Sequence, residues 1–258
     1  VRIDMATEPG DPDTPNEDWH GATGRTIVVL DGVSMPAGIK QACSHGTPWY
    51  VRQLGARLLA DAETAYSGTP LADVLAGAIE SVAKLHPQCD ADSVGAPSAA
   101  VAMLRVFPRS AEYLVLADAT IVIETARGVR AITDDRVEAS VADVSRTEPG
   151  AGVLIAERRA EHRNRPGGYW VAAGSVEAAA HAVTGHAEAV SRAAVMTDGA
   201  ALIAHMVGTP WPKVLGMGAA DIIWWVRTHE RSDPERVTWP RWKVSDDATA
   251  VMWQERAG

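Results

Sequence analysis

The chain has 258 residues, with 24 Lys and Arg against 33 Asp and Glu, a formal charge of −9. Its composition, 47% apolar and 22% charged, is that of an ordinary globular protein, long enough to bury a core without staples. The acidic balance argues against nucleic acid or an anionic membrane surface as partner, since both are bound through positive charge.

No stretch reaches the roughly 18–20 apolar residues of a spanning helix. The N-terminus, Val1-Arg2-Ile3-Asp4, lacks the basic-then-apolar pattern of a leader. Cys43 and Cys89 are the only cysteines, and neither lies in a C-x-x-C or His-rich setting. Two cysteines make no disulfide framework, so a reducing, cytoplasmic location is expected.

Residues 1–20 are acidic and rich in turn formers, which predicts a solvated loop. Residues 26–30, Thr-Ile-Val-Val-Leu, predict a buried strand closed by Asp31-Gly32. Thr47-Pro48 is a helix start, and Val51, Leu54, Leu58 and Leu59 then share one face. Thr69-Pro70 repeats the signal before Leu71, Val74, Leu75, Ala78, Ile79, Val82 and Leu85. Residues 99–106, 112–117 and 120–124 predict an antiparallel meander. The charged segment 134–165 predicts a strand or two and a long loop. A helix is expected over 176–183, a strand over 193–197, helices from 200 and over 213–229, and a last strand over 248–253. Helices and strands are grouped rather than alternating, so the fold class is α+β with antiparallel sheet, in one domain over 1–258.

Three aspartates flank predicted buried strands: Asp31, Asp198 and Asp246. Carboxylates held together on rigid structure repel one another unless a cation lies between them. Oxygen ligands without His or Cys favour Mg²⁺ or Mn²⁺ over Zn²⁺. An Asp-Gly pair is also a common hairpin turn. Neither Asp31-Gly32 nor Asp198-Gly199 leads into an alternating second strand, however.

Five segments occur in order: Asn16-Glu17-Asp18, Val28-Val29-Leu30-Asp31-Gly32, Leu116-Ala117-Asp118-Ala119-Thr120, Met196-Thr197-Asp198-Gly199 and Asp246-Asp247-Ala248-Thr249-Ala250-Val251. Together they resemble the PPM family of metal-dependent protein phosphatases, the 2C type, over nearly the whole chain. The resemblance implies a four-layer α-β-β-α sandwich with two central antiparallel sheets. It implies two or three Mn²⁺ or Mg²⁺ ions. Asp31 would bridge two of them, with the Gly32 carbonyl and Glu17 at the second and Asp18 nearby. Asp198 and Asp246 would complete the first ion's shell, and Asp118 would help hold a third. The implied reaction is in-line hydrolysis of a phosphomonoester by an activated water.

Two positions depart from the family pattern. Asp13 stands where the family has a phosphate-gripping arginine, and Val33-Ser34-Met35 stand where it has His-Gly-Gly. An acid would repel a phosphate dianion. His20 and His45 are candidates for the missing proton donor. Arg52, Arg163 and Arg165 are candidates for the missing guanidinium. The expected activity is a Mn/Mg-dependent serine/threonine protein phosphatase. The alternatives are a phosphatase for a small phosphorylated metabolite and a weakly active or inactive metal-binding signalling module. Nine tryptophans against one phenylalanine predict Trp-rich packing near the C-terminus, around Trp211, Trp224, Trp225, Trp239, Trp242 and Trp253.

Overall fold

The structure, a computed structural model, describes residues 1–33, 42–66, 68–85, 87–91, 93–145, 150–241 and 243–255. Ser34, Met35 and Trp242 lie outside the described residues. Among the described residues, ten strands form two five-stranded antiparallel sheets. In the first, β2 (Trp19–Ala22), β3 (Thr26–Gly32), β4 (Ala99–Val106), β5 (Ser110–Leu116) and β8 (Val183–Glu188) are neighbours in that order. In the second the order is β1 (Arg2–Glu8), β10 (Ala248–Gln254), β9 (Arg192–Met196), β6 (Thr120–Thr125) and β7 (Gly128–Ile132).

Side-chain alternation builds the layers. Ile27 and Val29 of β3 point at the second sheet, where they pack with Ile121, Val195 and Val251. Val28 and Leu30 point the other way, into α1 (Thr47–Thr64) and α2 (Leu71–Ala83). The second sheet turns Val122, Ala194 and Met196 outward onto α5 (Asp198–His205), α6 (Trp211–Val214) and α7 (Ala219–Ser232). The result is the expected α-β-β-α sandwich, and both sheets carry an apolar residue at nearly every central position because both of their faces are covered.

On α1, Tyr50, Val51, Leu54, Leu58 and Ala62 form the buried stripe. α2 buries Leu71, Val74, Leu75, Ala78, Ile79 and Val82. Its first backbone N–H, at Leu71, donates to Glu112 Oε1 on β5 at 2.9 Å. A carboxylate at a helix N-terminus satisfies an orphan donor and complements the helix dipole. Glu112 in turn pairs with Arg105, its register partner on β4.

Several elements differ from the sequence expectation. Residues 2–8 form an edge strand paired along its length with β10, rather than loop. Segment 134–165 contains no strand among its described residues. It holds a short helix, α3 (Arg136–Ala139), and a longer one, α4 (Ala151–His162), which buries only Ala151 and Ile155. Residues 176–181 are a 3₁₀ turn capped by Ser175. Trp224 and Trp225 are exposed on α7, in edge-to-face contact with each other, while Trp253 is buried in the core between the sheets. No helix among the described residues is long and apolar enough to cross a membrane.

Candidate functional site

Five aspartates from five separate segments meet at one end of the sandwich. Asp31 is the inward-facing residue at the end of β3, in phase with Ile27 and Val29. Asp198 opens α5 directly after β9, and its backbone N–H donates to Asp31 Oδ2 at 3.3 Å. Asp118 sits where the chain passes from β5 in one sheet to β6 in the other. Ala117 makes that turn with a left-handed φ of 64°. Asp18 precedes β2, and Asp246 precedes β10.

These groups feel one another strongly. Burial raises the Asp31 carboxyl well above its ordinary value, and repulsion from Asp198, Asp18, Asp118 and Asp246 raises it further. Burial likewise raises Asp18, with repulsion from Asp247 and Asp198 adding to it. Asp198 and Asp118 are raised mainly by burial, against the pull of Arg159. Asp246 is pushed up to about 6 by burial and by Asp198, against the pull of Lys243.

Two glycines let the segments close together. A Cβ on Gly32 would run into the backbone oxygen of Glu17, and one on Gly199 into the backbone oxygen of Asp247. Asp247 binds the 9–18 segment from below. Its Oδ1 accepts the Gly10 N–H at 2.8 Å and its Oδ2 the Glu17 N–H at 2.6 Å. Buried Arg227 on α7 donates to the backbone oxygens of Asp246, at 2.7 Å, and of Glu8, at 3.1 Å. Asp18 Oδ2 accepts from Thr197 Oγ1 at 3.0 Å, and that hydroxyl accepts the Thr249 N–H at 2.9 Å.

Two features of the acidic group fit a hard divalent cation. Asp18 Oδ1 is buried and has no hydrogen-bond partner among the described residues. The converging side chains offer carboxylate oxygen alone, the donor that Mg²⁺ and Mn²⁺ prefer. Among the described residues, though, no three of these carboxylates bring ligand oxygens within 4.8 Å of one another.

Two clefts open on the group. One, of about 400 Å³, is lined by Asp118, Asp198, Asp246, Arg159, Lys243 and His205 among others. The other, of about 490 Å³, is lined by Glu17, Asp246, Asp247 and Lys243 together with the start of α1. Lys243 Nζ lies 2.7 Å from Asp246 Oδ1. Burial disfavours its charge, but Asp246, Asp198 and Asp31 outweigh this and raise it.

Other sequence candidates fall elsewhere. Asp13 is exposed and lines neither cleft; its N–H donates to Asp11 Oδ1. Arg52 is exposed on α1. Arg163 donates to the backbone oxygens of Val94 and Ala96, and with Arg165 it lines a different pocket. His20 is half-buried on β2, where burial lowers its pKa. His45 Nδ1 lies 3.5 Å from Cys43 Sγ, and the ring stacks on Trp49. Neither histidine lines the two acidic clefts. Arg159, Lys243, His205 and Asp247 are the site groups that sequence reasoning left without a role.

The sequence matches no family model, and no curated protein matches it. Solved structures do match. Stp1, a serine/threonine phosphatase from Staphylococcus aureus, is 12% identical with a TM-score of 0.58, covering 100% of this chain and 96% of that one. The catalytic domain of the serine/threonine protein phosphatase PstP, in complex with two manganese ions, is 14% identical with a TM-score of 0.57, covering 97% and 96%. The PPM Ser-Thr phosphatase MsPP from Mycobacterium smegmatis, in complex with cacodylate, is 16% identical with a TM-score of 0.54, covering 98% and 97%. The chain has the PPM phosphatase fold. In the PPM fold as this chain builds it, the acidic group occupies the end of the sandwich where β3, β9 and β10 bring their terminal residues together.

Proposed function

We propose that this chain is a Mn²⁺- or Mg²⁺-dependent phosphomonoester hydrolase acting on phosphoserine and phosphothreonine proteins. The observation that carries the reading is the convergence of Asp18, Asp31, Asp118, Asp198 and Asp246 on one another at the end of the sandwich. The phosphatase fold of the neighbours supports the reaction class by analogy.

Asp31, Asp198 and Asp246 would hold one ion. Asp31, the Gly32 carbonyl and Glu17 would hold a second, and Asp118 a third. Such ions supply positive charge against phosphoryl oxygens and lower the pKa of a water. The chain's own residues supply the rest. Asp247 fixes Glu17 through its backbone N–H, and the Thr249–Thr197 relay fixes Asp18. Arg159 and Lys243 place cations in the wall of the cleft lined by Asp118 and Asp198, where a phosphate would lie. They take the place that Arg52, Arg163 and Arg165 do not fill. Asp13 faces solvent outside both clefts, so its charge bears on substrate far less than its sequence position implies. His205 lines the same cleft as Arg159 and is the histidine best placed to meet a leaving group.

One observation favours the second reading, a weakly active metal-binding module. The Lys243 ammonium is already paired with Asp246 and works against the charge a metal ion would bring. Hydrolysis of an aryl phosphate with Mn²⁺, with and without chelator, beside Asp198→Asn, separates the two. Chelator-sensitive turnover that Asp198→Asn abolishes supports the enzyme. Saturable Mn²⁺ binding without turnover supports the module. A comparison of phosphopeptides with phosphorylated metabolites then selects the substrate class.

A further inference from the structure

Away from the acidic group, Cys43, His45 and Cys89 bring their donor atoms within 4.8 Å of one another. Cys43 and His45 stand just before α1, and Cys89 follows α2, so the trio joins two segments far apart in sequence. Neither cysteine is in a disulfide. Bonds of about 2.3 Å from zinc to sulfur and about 2.05 Å to imidazole nitrogen, at a tetrahedral angle, put S and N about 3.5 Å apart. Cys43 Sγ and His45 Nδ1 are 3.5 Å apart. The His45 N–H also donates to Cys43 Sγ at 3.4 Å, and the Ser44 backbone hydrogen-bonds the Cys89 thiol. Without an ion, burial and the neighbouring Cys43 thiol raise the Cys89 thiol above its ordinary value, so an incoming ion would displace its proton. The donor set is soft, unlike the oxygen set of the acidic group, and so selects a different ion.

We propose that Cys43, His45 and Cys89 form a zinc site, with water as the fourth ligand. His45 and Ser44 are exposed, so the open position faces solvent. The ion would clip the segment ahead of α1 to the segment after α2. Gly46, Thr47 and Pro48, which follow immediately, line the acidic cleft that also holds Glu17 and Asp247. The clip would therefore hold one wall of that cleft. The trio does not depend on the phosphatase reading, and the ligands of the two sites do not overlap.

The test uses the whole chain, reduced, in excess Mg²⁺ to engage the carboxylates. One equivalent of Co²⁺ should give a sulfur-to-cobalt charge-transfer band and the intense d–d bands of a tetrahedral site. Both should be lost in Cys43→Ser and in Cys89→Ser and kept in Asp198→Asn. With Zn²⁺ in place of Co²⁺, both thiols of the wild type should resist alkylation, read by intact mass, until chelator is added. This readout stands even where a serine variant fails to fold. A cobalt spectrum without a thiolate band overturns the proposal. So does alkylation of both thiols as fast with Zn²⁺ as without it, the result expected if the pair serves only to form a disulfide.

Discussion

Lys243 reaches into the acidic group and sets its Nζ 2.7 Å from Asp246 Oδ1, with both side chains about one quarter exposed (27% each). A fixed ammonium here does part of the neutralising that a divalent ion would do, and it lies in both clefts. It therefore opposes metal binding while attracting a phosphate. Removing one charge at this range is worth roughly 1–2 kcal/mol after screening, a factor of about 5–30. Lys243→Ala should tighten Mn²⁺ binding by about that factor in a calorimetric titration. Under the phosphatase reading the same variant should raise KM for an aryl phosphate. Unchanged Mn²⁺ affinity would show that the ammonium swings clear when metal arrives.

Asp247 uses both oxygens to hold the 9–18 segment, one on Gly10 and one on Glu17. Hydrogen bonds to a charged acceptor contribute about 1.5–3 kcal/mol each. Asp247→Ala should cost roughly 2–4 kcal/mol in denaturant unfolding, allowing for non-additivity of neighbouring bonds. It should also lower Mn²⁺ affinity by freeing Glu17. Asp247→Asn keeps one acceptor oxygen and should fall between. If Asp247→Ala unfolds at the wild-type midpoint, the segment is held by other contacts.

The parts of this fold that were legible share one property: they are buried on a regular period. Leu71 to Val82 and Val51 to Leu58 mark their helices by spacing alone, and the β3–β4–β5 run marks its strands by unbroken apolarity. What escaped lies at edges. β1 and β7 carry exposed and charged residues because edge strands are only half covered, and α4 shows two buried residues in twelve. The acidic residues could be named because each ends a strongly patterned strand or stands in a family motif. Lys243, Arg159 and Asp247 could not, since their roles arise from contacts with segments remote in sequence. Cys43-Ser44-His45 suggested nothing without Cys89, which only the α1–α2 packing brings alongside.

Arg105 and Glu112 face each other across the β4–β5 ladder, 2.5 Å apart and nearly inaccessible, beneath the start of α2. Breaking such a pair leaves an uncompensated buried charge and costs about 3–5 kcal/mol. Arg105→Met and Glu112→Gln should each lose stability on that scale in denaturant titrations. Their combination should cost clearly less than the sum, because neither charge then remains alone and the glutamine oxygen can still accept the Leu71 N–H. Additive losses would mean that the two groups act through separate contacts, such as the Arg105 bond to the Thr69 carbonyl.

Asp233 closes α7 and organises the segment that leads back to Asp246. Burial alone would raise its pKa, but the backbone N–H groups of Trp239, Thr238 and Val237 and the Arg241 guanidinium outweigh it and hold the carboxyl at about 2. The unfolded chain has the ordinary value of 3.8. A carboxyl with a depressed folded pKa binds fewer protons folded than unfolded, so its stabilisation is fully present above the unfolded value and falls away as pH drops toward the folded one. Asp233→Asn should therefore melt below the wild type by a constant interval from neutral pH down to about 5. That interval should narrow between about pH 4 and pH 2 as the wild-type carboxyl takes up its proton. Melting temperatures of both proteins across this range, with chelator present throughout to remove any metal contribution, give the comparison. A gap that stays constant down to pH 2 would mean that the folded protein protonates Asp233 no later than the unfolded chain does.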